Sequence, residues 1–348
     1  MTTMETSGMG KGPVGDKSSA GPRTASPDFA AQRRSDQRRK VSEIALFTGP
    51  ALALFALFVV FPVASAARYS LYKWNGVKAF SEAEFVGLDN YTRALWGGSD
   101  PATHSAFWTS YSQPFWQAMS HNLLIIAASM AIQLPLALMV ALVLNRNFPG
   151  RSLVRVIIFA PYVISEVIAG VMWFIIFDPN GIATQFVEAI GLHMPTGGWF
   201  ESHTWGIWTV FFIVTWKYLG LAIILFLAGL SGVPQELQEA AAIDGATWWQ
   251  IQRRINIPLI GPTIRIWAFL SIIGSIQLFD MVWVLNRGGT QGQYATIATF
   301  MMQYGYFRKD VGFGSAVAVI MFLISLVVAI AYMLTVLRRD NTDSDLAR

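Results

Sequence analysis

Six long apolar stretches dominate this chain and leave few folds open to it. A helix needs about 20 mostly apolar residues to cross a hydrocarbon core about 30 Å thick. In lipid every backbone group has to be paired within its own segment, so these stretches are predicted to be helices. The sequence therefore predicts an all-α membrane protein with six transmembrane helices. The stretches lie near Ile44–Ala67, Met119–Leu144, Val154–Phe177, Trp205–Leu230, Thr263–Leu285 and Phe313–Leu337.

The composition of the chain agrees with a membrane protein and argues against an enzyme. Charged residues make up 13% of the chain, against about 25% in soluble domains. The chain has no cysteine and only four scattered histidines, so no disulfide, metal site or cysteine nucleophile is predicted. It also lacks the glycine-rich phosphate loop of ATP-hydrolysing proteins. The net charge of +4 is assigned to membrane topology, and no nucleic-acid partner is predicted.

Basic residues are unevenly divided between the two sides of the predicted bundle. Seventeen of the 25 lysines and arginines fall on the side that holds both termini, and seven fall on the other side. Basic residues close to spans favour the cytoplasm. Both termini are therefore predicted to be cytoplasmic. The protein is expected to lie in a bacterial cytoplasmic membrane, in contact with lipid.

The first 40 residues differ from the rest of the chain. They are rich in Ser, Gly, Pro, Lys and Arg, and they end in the basic run Arg33–Lys40. This composition predicts a disordered basic cytoplasmic tail over residues 1–40. Residues 41–340 then form the six-helix domain, and residues 341–348 form a short cytoplasmic tail. A signal peptide cleaved near Ala64–Ala66 is the alternative, but the apolar run before that point is longer than a signal core.

The polar segment 231–262, between the fourth and fifth stretches, carries signals for two short helices. Pro234 suits the first position of a helix, where its missing N–H costs no hydrogen bond. Gly245 suits the left-handed residue that ends a helix. Thr247 begins a Thr-x-x-Gln capping-box spacing for a second helix, which Pro258 is expected to end. The segment is therefore predicted to form a helix–turn–helix at the cytoplasmic surface.

The same segment matches a known residue pattern. Glu239-Ala240-Ala241 is followed by Gly245 at a spacing of three residues, and nine residues later come Ile255 and Ile257-Pro258. This pattern resembles the EAA loop of binding-protein-dependent ABC import permeases, which usually have Leu where this chain has Ile257. Further matches to the carbohydrate branch of that family extend the resemblance over about residues 41–340. They are Asp244, Ala246, Pro262 and the segments Phe85–Tyr91, Trp216–Gly220, Leu227–Leu230 and Phe279–Thr290.

The resemblance implies a permease subunit of an ATP-driven importer for a sugar of di- or oligosaccharide size. The EAA loop, here residues 231–262, is then the coupling helix that docks on separate ATPase subunits. The other implied partners are a second permease, expected to be a paralogue, and an extracellular solute-binding protein. No cofactor is expected on this chain, because the ATPase uses the ATP. The residues assigned to coupling are Glu239, Ala240, Ala241, Asp244, Gly245, Ala246, Ile255 and Pro258.

Several polar residues are predicted to lie near the centre of the membrane. Intramembrane charge is costly and is usually functional or paired, and transporters often bind substrate near the midplane. In one hypothesis Glu166 and Lys217 form a buried ion pair that fixes helix packing. In the other, these groups contact sugar hydroxyls while aromatic rings stack on the sugar. The candidate pathway residues are Gln133, Glu166, Trp216, Lys217, Tyr218, Gln277 and Asp280.

A secondary transporter driven by an ion gradient is the alternative function. Glu166 would then be its proton site. A coupling segment of the EAA type has no use in such a protein, so residues 231–262 favour the importer.

Overall fold

The computed structural model describes residues 43–97, 112–192, 198–202, 205–287 and 294–334. The predicted tails, residues 1–40 and 341–348, lie outside the described residues. Within the described ranges nearly all regular structure is helical, which confirms the all-α prediction. The one sheet in these ranges is a short antiparallel hairpin, which pairs Tyr72 with Phe85 and Lys73 with Glu84.

Fourteen helices and two strands of the described residues are labelled here in chain order, and the remaining helical turns, among them Gln252–Asn256 and Ile257–Leu259, are left unlabelled. Five helical stretches, one of them the α11–α12 span Gly261–Leu285, are long and apolar enough to cross a membrane, and a bent helix pair supplies a sixth candidate. The elements are α1 (Glu43–Tyr69), β1 (Tyr72–Lys73), β2 (Glu84–Phe85), α2 (Asp89–Trp96), α3 (Gln113–Leu144), α4 (Arg151–Val163), α5 (Glu166–Ile176), α6 (Ile182–Ala189), α7 (Gly198–Glu201), α8 (Trp205–Ser231), α9 (Gln235–Ile243), α10 (Trp248–Ile251), α11 (Gly261–Ile276), α12 (Asp280–Leu285), α13 (Ile297–Met302) and α14 (Val311–Tyr332).

The third predicted span is interrupted, which corrects the expectation of one continuous helix over Val154–Phe177. Helices α4 and α5 meet at an angle of 98°. Ile164 and Ser165 between them have extended backbone, with ψ angles of 138° and 142°. Pro161 lies one turn before the break and has no N–H to bond back along the helix. The chain therefore turns sharply in the middle of an apolar run that hydropathy alone cannot divide.

The chain divides into two compact units within α1, at Pro62 and Val63, and the second unit contains all the elements that follow. Helix α8 lies at the centre of its packing. Ala222, Ile223 and Phe226 of α8 pack in one buried cluster with Ala137 and Ala141 of α3. Small side chains on both helices let their backbones approach closely, as in other membrane helix pairs.

A single glycine sets the distance between α8 and α4. A β-carbon added to Gly220 would lie 2.4 Å from the carbonyl oxygen of Ile158. That oxygen belongs to the backbone and cannot move aside as a flexible side chain would. Glycine is therefore required at position 220 for α4 to reach its observed place beside α8.

The hairpin and α2 are tied to the start of α14. Asn90 is fully buried and donates hydrogen bonds to the carbonyls of Ser70 and Tyr72, at 2.9 and 3.0 Å. Arg93 forms an ion pair with Asp310 at 2.8 Å. The contact between Arg93 and Asp310 joins positions 217 residues apart in the sequence.

The connection between α8 and α11 forms the predicted helix–turn–helix. Gly245 has a φ of +81°, and the amide of Ala246 bonds to the carbonyl of Ala241 at 2.9 Å, a pattern typical of a Schellman C-cap. Thr247 and Gln250 form a reciprocal capping box. The left-handed glycine and the capping box are thus both confirmed.

The second helix of this connection runs further than the sequence predicts. Pro258 was expected to end it, and that expectation is wrong. A π-helical turn, Gln252–Asn256, follows α10, and Ile257–Leu259 continues as α-helix. Pro258 lies in the first turn of that last piece, directly after the π-helical turn.

Candidate functional site

The break between α4 and α5 exposes backbone groups inside an apolar bundle. The carbonyls at the end of α4 have no following turn to bond to, because the chain is extended at Ile164 and Ser165. Unpaired carbonyls at this depth cost several kcal/mol in order of magnitude. A hydrogen-bond donor from another element is therefore required at this point.

Lys217 of α8 is that donor. Its side chain is buried, with 3% of its surface exposed, and its ammonium Nζ donates to the carbonyls of Ile164 and Tyr162, the latter at 3.5 Å. The C-terminal end of a helix carries partial negative charge, so a cation is favourable there. Lys217 thus caps the C-terminal end of α4.

Glu166 occupies the opposite helix end. It is the first residue of α5, where the partial positive charge of a helix N-terminus favours a carboxylate. The hydroxyl of Tyr218 donates a hydrogen bond to Glu166 Oε1. Tyr218, which follows Lys217 on α8, therefore contacts the other side of the same break.

Glu166 and Lys217 do not form the ion pair that one hypothesis predicted. Both residues are described, and their recorded hydrogen bonds go to Tyr218 and to backbone carbonyls. The reason is the break, since it supplies one negative and one positive helix end close to the two charges. Each charge therefore lies at a helix end, and the two side chains make their direct contacts with other groups.

A cavity of about 440 Å³ lies beside this break. Tyr162 and Tyr218 contribute to its wall, and their ring centroids are 6.1 Å apart. Three aromatic rings and several hydroxyl or amide groups face the same space. The lining comprises Ser129, Gln133, Tyr162, Val214, Tyr218, Leu221, Leu225, Trp267, Leu270, Ser271, Gly274, Ser275 and Leu278.

The predicted pathway residues divide into three groups. Gln133 and Tyr218 line the cavity, while Glu166 and Lys217 hold the break behind its wall. Trp216, Gln277 and Asp280 do not belong to the lining. Trp216 packs instead on the ring of Trp173, with centroids 5.1 Å apart, and the other two are exposed at the break between α11 and α12.

The span formed by α11 and α12 is interrupted as well, and its break faces the same cavity. Asn122 of α3 donates to the carbonyl of Ser275 at 2.5 Å, and Thr296 donates to the carbonyl of Leu278 at 2.7 Å. Both donors are buried. Ser275 and Leu278 line the cavity, so two interrupted spans frame it.

Three residues of the site, Asn122, Thr296 and Trp267, are not among those predicted from the sequence. Asn122 is a polar residue within a predicted span, which was an available signal. Thr296 lies outside the six apolar stretches, and its importance follows only from folding of the 294–302 region onto α11. Trp267 carries no sequence signal that separates a lining residue from a packing residue.

The residues assigned to coupling lie together on the connection between α8 and α11. Glu239 is exposed and accepts a hydrogen bond from Gln235 at 2.7 Å. Two large apolar side chains of the same connection are also exposed, Ile243 to 87% and Trp249 to 51%. The eight predicted residues occupy α9 (Glu239, Ala240, Ala241), the turn (Asp244, Gly245, Ala246), the π-helical turn (Ile255) and the final helical piece (Pro258).

Comparison with known proteins identifies relatives across most of the chain. A probable ABC transporter permease of Pyrococcus horikoshii is 31% identical over 292 residues, which cover 83% of this chain and 94% of that protein. An arabinooligosaccharide transport permease of Bacillus subtilis is 28% identical, covering 82% of this chain and 85% of its own length. A trehalose/maltose transport permease of Thermococcus litoralis is 28% identical, covering 82% and 90%.

The fold agrees with these sequence matches. A chain of a bacterial ABC transporter that imports alginate superposes with a TM-score of 0.70 and 22% identity, covering 87% of this chain and 98% of that one. The family model for binding-protein-dependent transport system inner membrane components matches residues 133–340. That range includes both interrupted spans, the α8–α11 connection and every cavity-lining residue except Ser129. The chain is therefore a multipass inner-membrane protein and belongs to the family of binding-protein-dependent transport system inner membrane components.

Proposed function

We propose that this chain is the permease subunit of an ATP-driven importer and that its cargo is a sugar of di- or oligosaccharide size. The observation that carries the proposal is the cavity between the two interrupted spans. Its volume of about 440 Å³ is within the range of small-molecule sites. Hydroxyl and amide groups suit the edges of a sugar, and the rings of Tyr162, Tyr218 and Trp267 suit its apolar faces.

The names of relatives support the same class of cargo. Permeases for arabinooligosaccharides and for trehalose or maltose match more than four-fifths of this chain. Gln133, with 2% of its surface exposed to solvent, offers an amide that can donate and accept toward the cavity. We assign Gln133 and Tyr218 to the cargo path, and Glu166 and Lys217 to its support.

The connection between α8 and α11 is proposed to transmit the conformational change of the ATPase to the membrane helices. Its α9 surface presents small residues, Ala240 and Ala241, next to the exposed Glu239 and Ile243. A partner surface can approach such a helix closely. ATP hydrolysis is assigned to a separate subunit, so this chain would act as a translocation subunit without a cofactor of its own.

The remaining partners and the orientation complete the proposal. A second permease would form the other half of the pathway, and a solute-binding protein would deliver the cargo from outside. Both termini are assigned to the cytoplasm, because basic residues dominate that side. ATP binding and cargo delivery would each favour one of two states of the pathway.

Purification and reconstitution test this function directly. The chain would be tagged, extracted in mild detergent and checked for a co-purifying ATPase and a second permease. Vesicles containing the complex would then be assayed for ATP-dependent uptake of maltose, trehalose and an arabinooligosaccharide. A chain that purifies alone and transports in an ion gradient without ATP would contradict the importer and support the secondary transporter.

A further inference from the structure

Lys217 is a buried cation whose surroundings define what it does. Of its surface, 3% is exposed, and it lies within the long apolar helix α8. A charge at this depth persists only where specific groups compensate it. Here two backbone carbonyls at the end of α4 accept from its ammonium.

The acceptors connect Lys217 to the cavity wall. Tyr162 supplies one of the carbonyls, and the same residue lines the cavity. Any rearrangement at the end of α4 that moves this carbonyl also moves the Tyr162 side chain. The backbone contact of Lys217 is therefore coupled to the shape of the cavity.

Tyr218, the residue after Lys217 on α8, contacts the other side of the break. Tyr218 lines the cavity and donates to Glu166, which begins α5. The Lys217 ammonium lies 5.7 Å from the centre of the Tyr218 ring, within the range of a cation–π contact. Two successive residues of α8 thus hold the end of α4 and the start of α5.

We propose that Lys217 is a positioning residue that holds the α4–α5 break in its observed geometry and thereby keeps the Tyr162 and Tyr218 side of the cavity closed. The inference rests on the proposed function only in treating the cavity as the cargo path. Its structural content, the link between Lys217 and the cavity wall, does not depend on which cargo is carried.

The test uses the absence of native cysteine in this chain. Ser271 lines the cavity, so Ser271→Cys places one thiol there as a reporter. The rate of its reaction with an uncharged maleimide is measured in membranes containing the assembled transporter, with Lys217 intact or changed to Met, Gln or Arg. We expect Lys217→Met to raise the rate about tenfold, in keeping with the loss of hydrogen bonds to a charged group.

The other two variants separate charge from hydrogen bonding. Lys217→Arg keeps both the charge and the donors, and it should restore a labelling rate within about twofold of the parent, because its guanidinium also donates to carbonyls. Lys217→Gln keeps donors without charge and should fall between Arg and Met. Gln also leaves the proposal testable if the Met variant fails to insert or assemble.

Two controls make the readout specific to the cavity. Ile224→Met introduces the same side chain on α8 at a position that is 38% exposed, and it should leave the Ser271→Cys rate unchanged. A thiol at the exposed Ser231 should react equally in all Lys217 variants. Equal Ser271→Cys rates in the parent, Met and Gln variants would overturn the inference. Because no cargo is used, this outcome is separate from a failure of sugar uptake.

Discussion

Several charged and polar side chains within the described spans and beside them contact the ends of helices. Lys217 bonds to carbonyls at the end of α4, and Glu166 begins α5. Asn122 and Thr296 perform the corresponding task at the break that follows α11. Lys217, Asn122 and Thr296 come from neighbouring elements and replace hydrogen bonds that a continuous helix would have supplied. Glu166 belongs to α5 itself and accepts from Tyr218.

The bond between Tyr218 and Glu166 gives a prediction at this scale. Tyr218→Phe removes the donor to a carboxylate inside the bundle, so we expect the free energy of unfolding to fall by about 1.5–3 kcal/mol, the range for hydrogen bonds to charged groups. Thermal unfolding of the purified complex in detergent measures the change. Tyr162→Phe is the matched control, because the recorded hydrogen bond of Tyr162 uses its backbone carbonyl. Equal losses in both variants would contradict the prediction.

At the scale of elements, the interrupted spans and the α8–α11 connection are the parts of the fold with special backbone geometry. The spans break at Ile164–Ser165 and around Phe279. The connection turns at Gly245, whose φ is +81°. A β-carbon at Gly245 would meet nothing within 4 Å. The requirement for glycine at this position is therefore conformational rather than steric.

Because the requirement for glycine is conformational, the effect of a substitution at position 245 should depend on how well the new residue tolerates a positive φ. Gly245→Val forces a β-branched residue into the left-handed region, which costs about 1–2 kcal/mol, so we expect α10 to shift relative to α9 and uptake to fall. Asn and Asp tolerate this region better, so Gly245→Asn should be milder. Gly245→Asp would add both a β-carbon and a charge to the turn, and we expect it to uncouple transport. ATP-dependent uptake is compared at equal membrane levels of each variant. Uptake as low with Asn as with Val would contradict a conformational cause.

At the scale of the whole molecule, two connections between spans have proposed roles on opposite sides of the membrane. The β1–β2 hairpin follows the first span, and the α9–α10 turn lies between α8 and α11. We propose that the α9–α10 turn lies in the cytoplasm, because basic residues are in excess on that side. The turn would then meet the ATPase, and the hairpin would lie outside, on the side of the solute-binding protein.

Single cysteines test this orientation. Val77, in the loop between β1 and β2, is 70% exposed, and Ser231, at the end of α8, is also exposed. In intact cells a membrane-impermeant maleimide should label Val77→Cys and leave Ser231→Cys unlabelled. After permeabilisation both should react. Labelling of Ser231→Cys alone in intact cells would reverse the proposed orientation.

Much of this protein follows from short-range information in its sequence. Apolar runs of about 20 residues admit only helices in lipid, so the class of fold was predictable, and the first, fourth and fifth spans lie within about two residues of their predicted bounds. The second span begins at Gln113, before its predicted start at Met119, and the third is broken. The predicted end of the sixth, Leu337, lies outside the described residues. The turn at Gly245 and the capping box at Thr247 were predictable because both depend on residues less than one turn away. The pattern around Glu239 identified the family for the same reason, since it lies within one segment.

The arrangement of the cavity depends on contacts between residues distant in sequence. Apolar residues continue on both sides of Ser165, so the sequence around the break does not reveal it. It depends on Lys217, more than 50 residues away, which supplies the donor that the open carbonyls need. The same long-range pairing sends Glu166 to Tyr218 instead of to Lys217. Trp216 and Tyr218 have similar sequence surroundings, yet one packs on Trp173 and the other faces the cavity. The two residues lie on different sides of α8, and only the packing of the neighbouring helices determines which side of α8 faces the cavity.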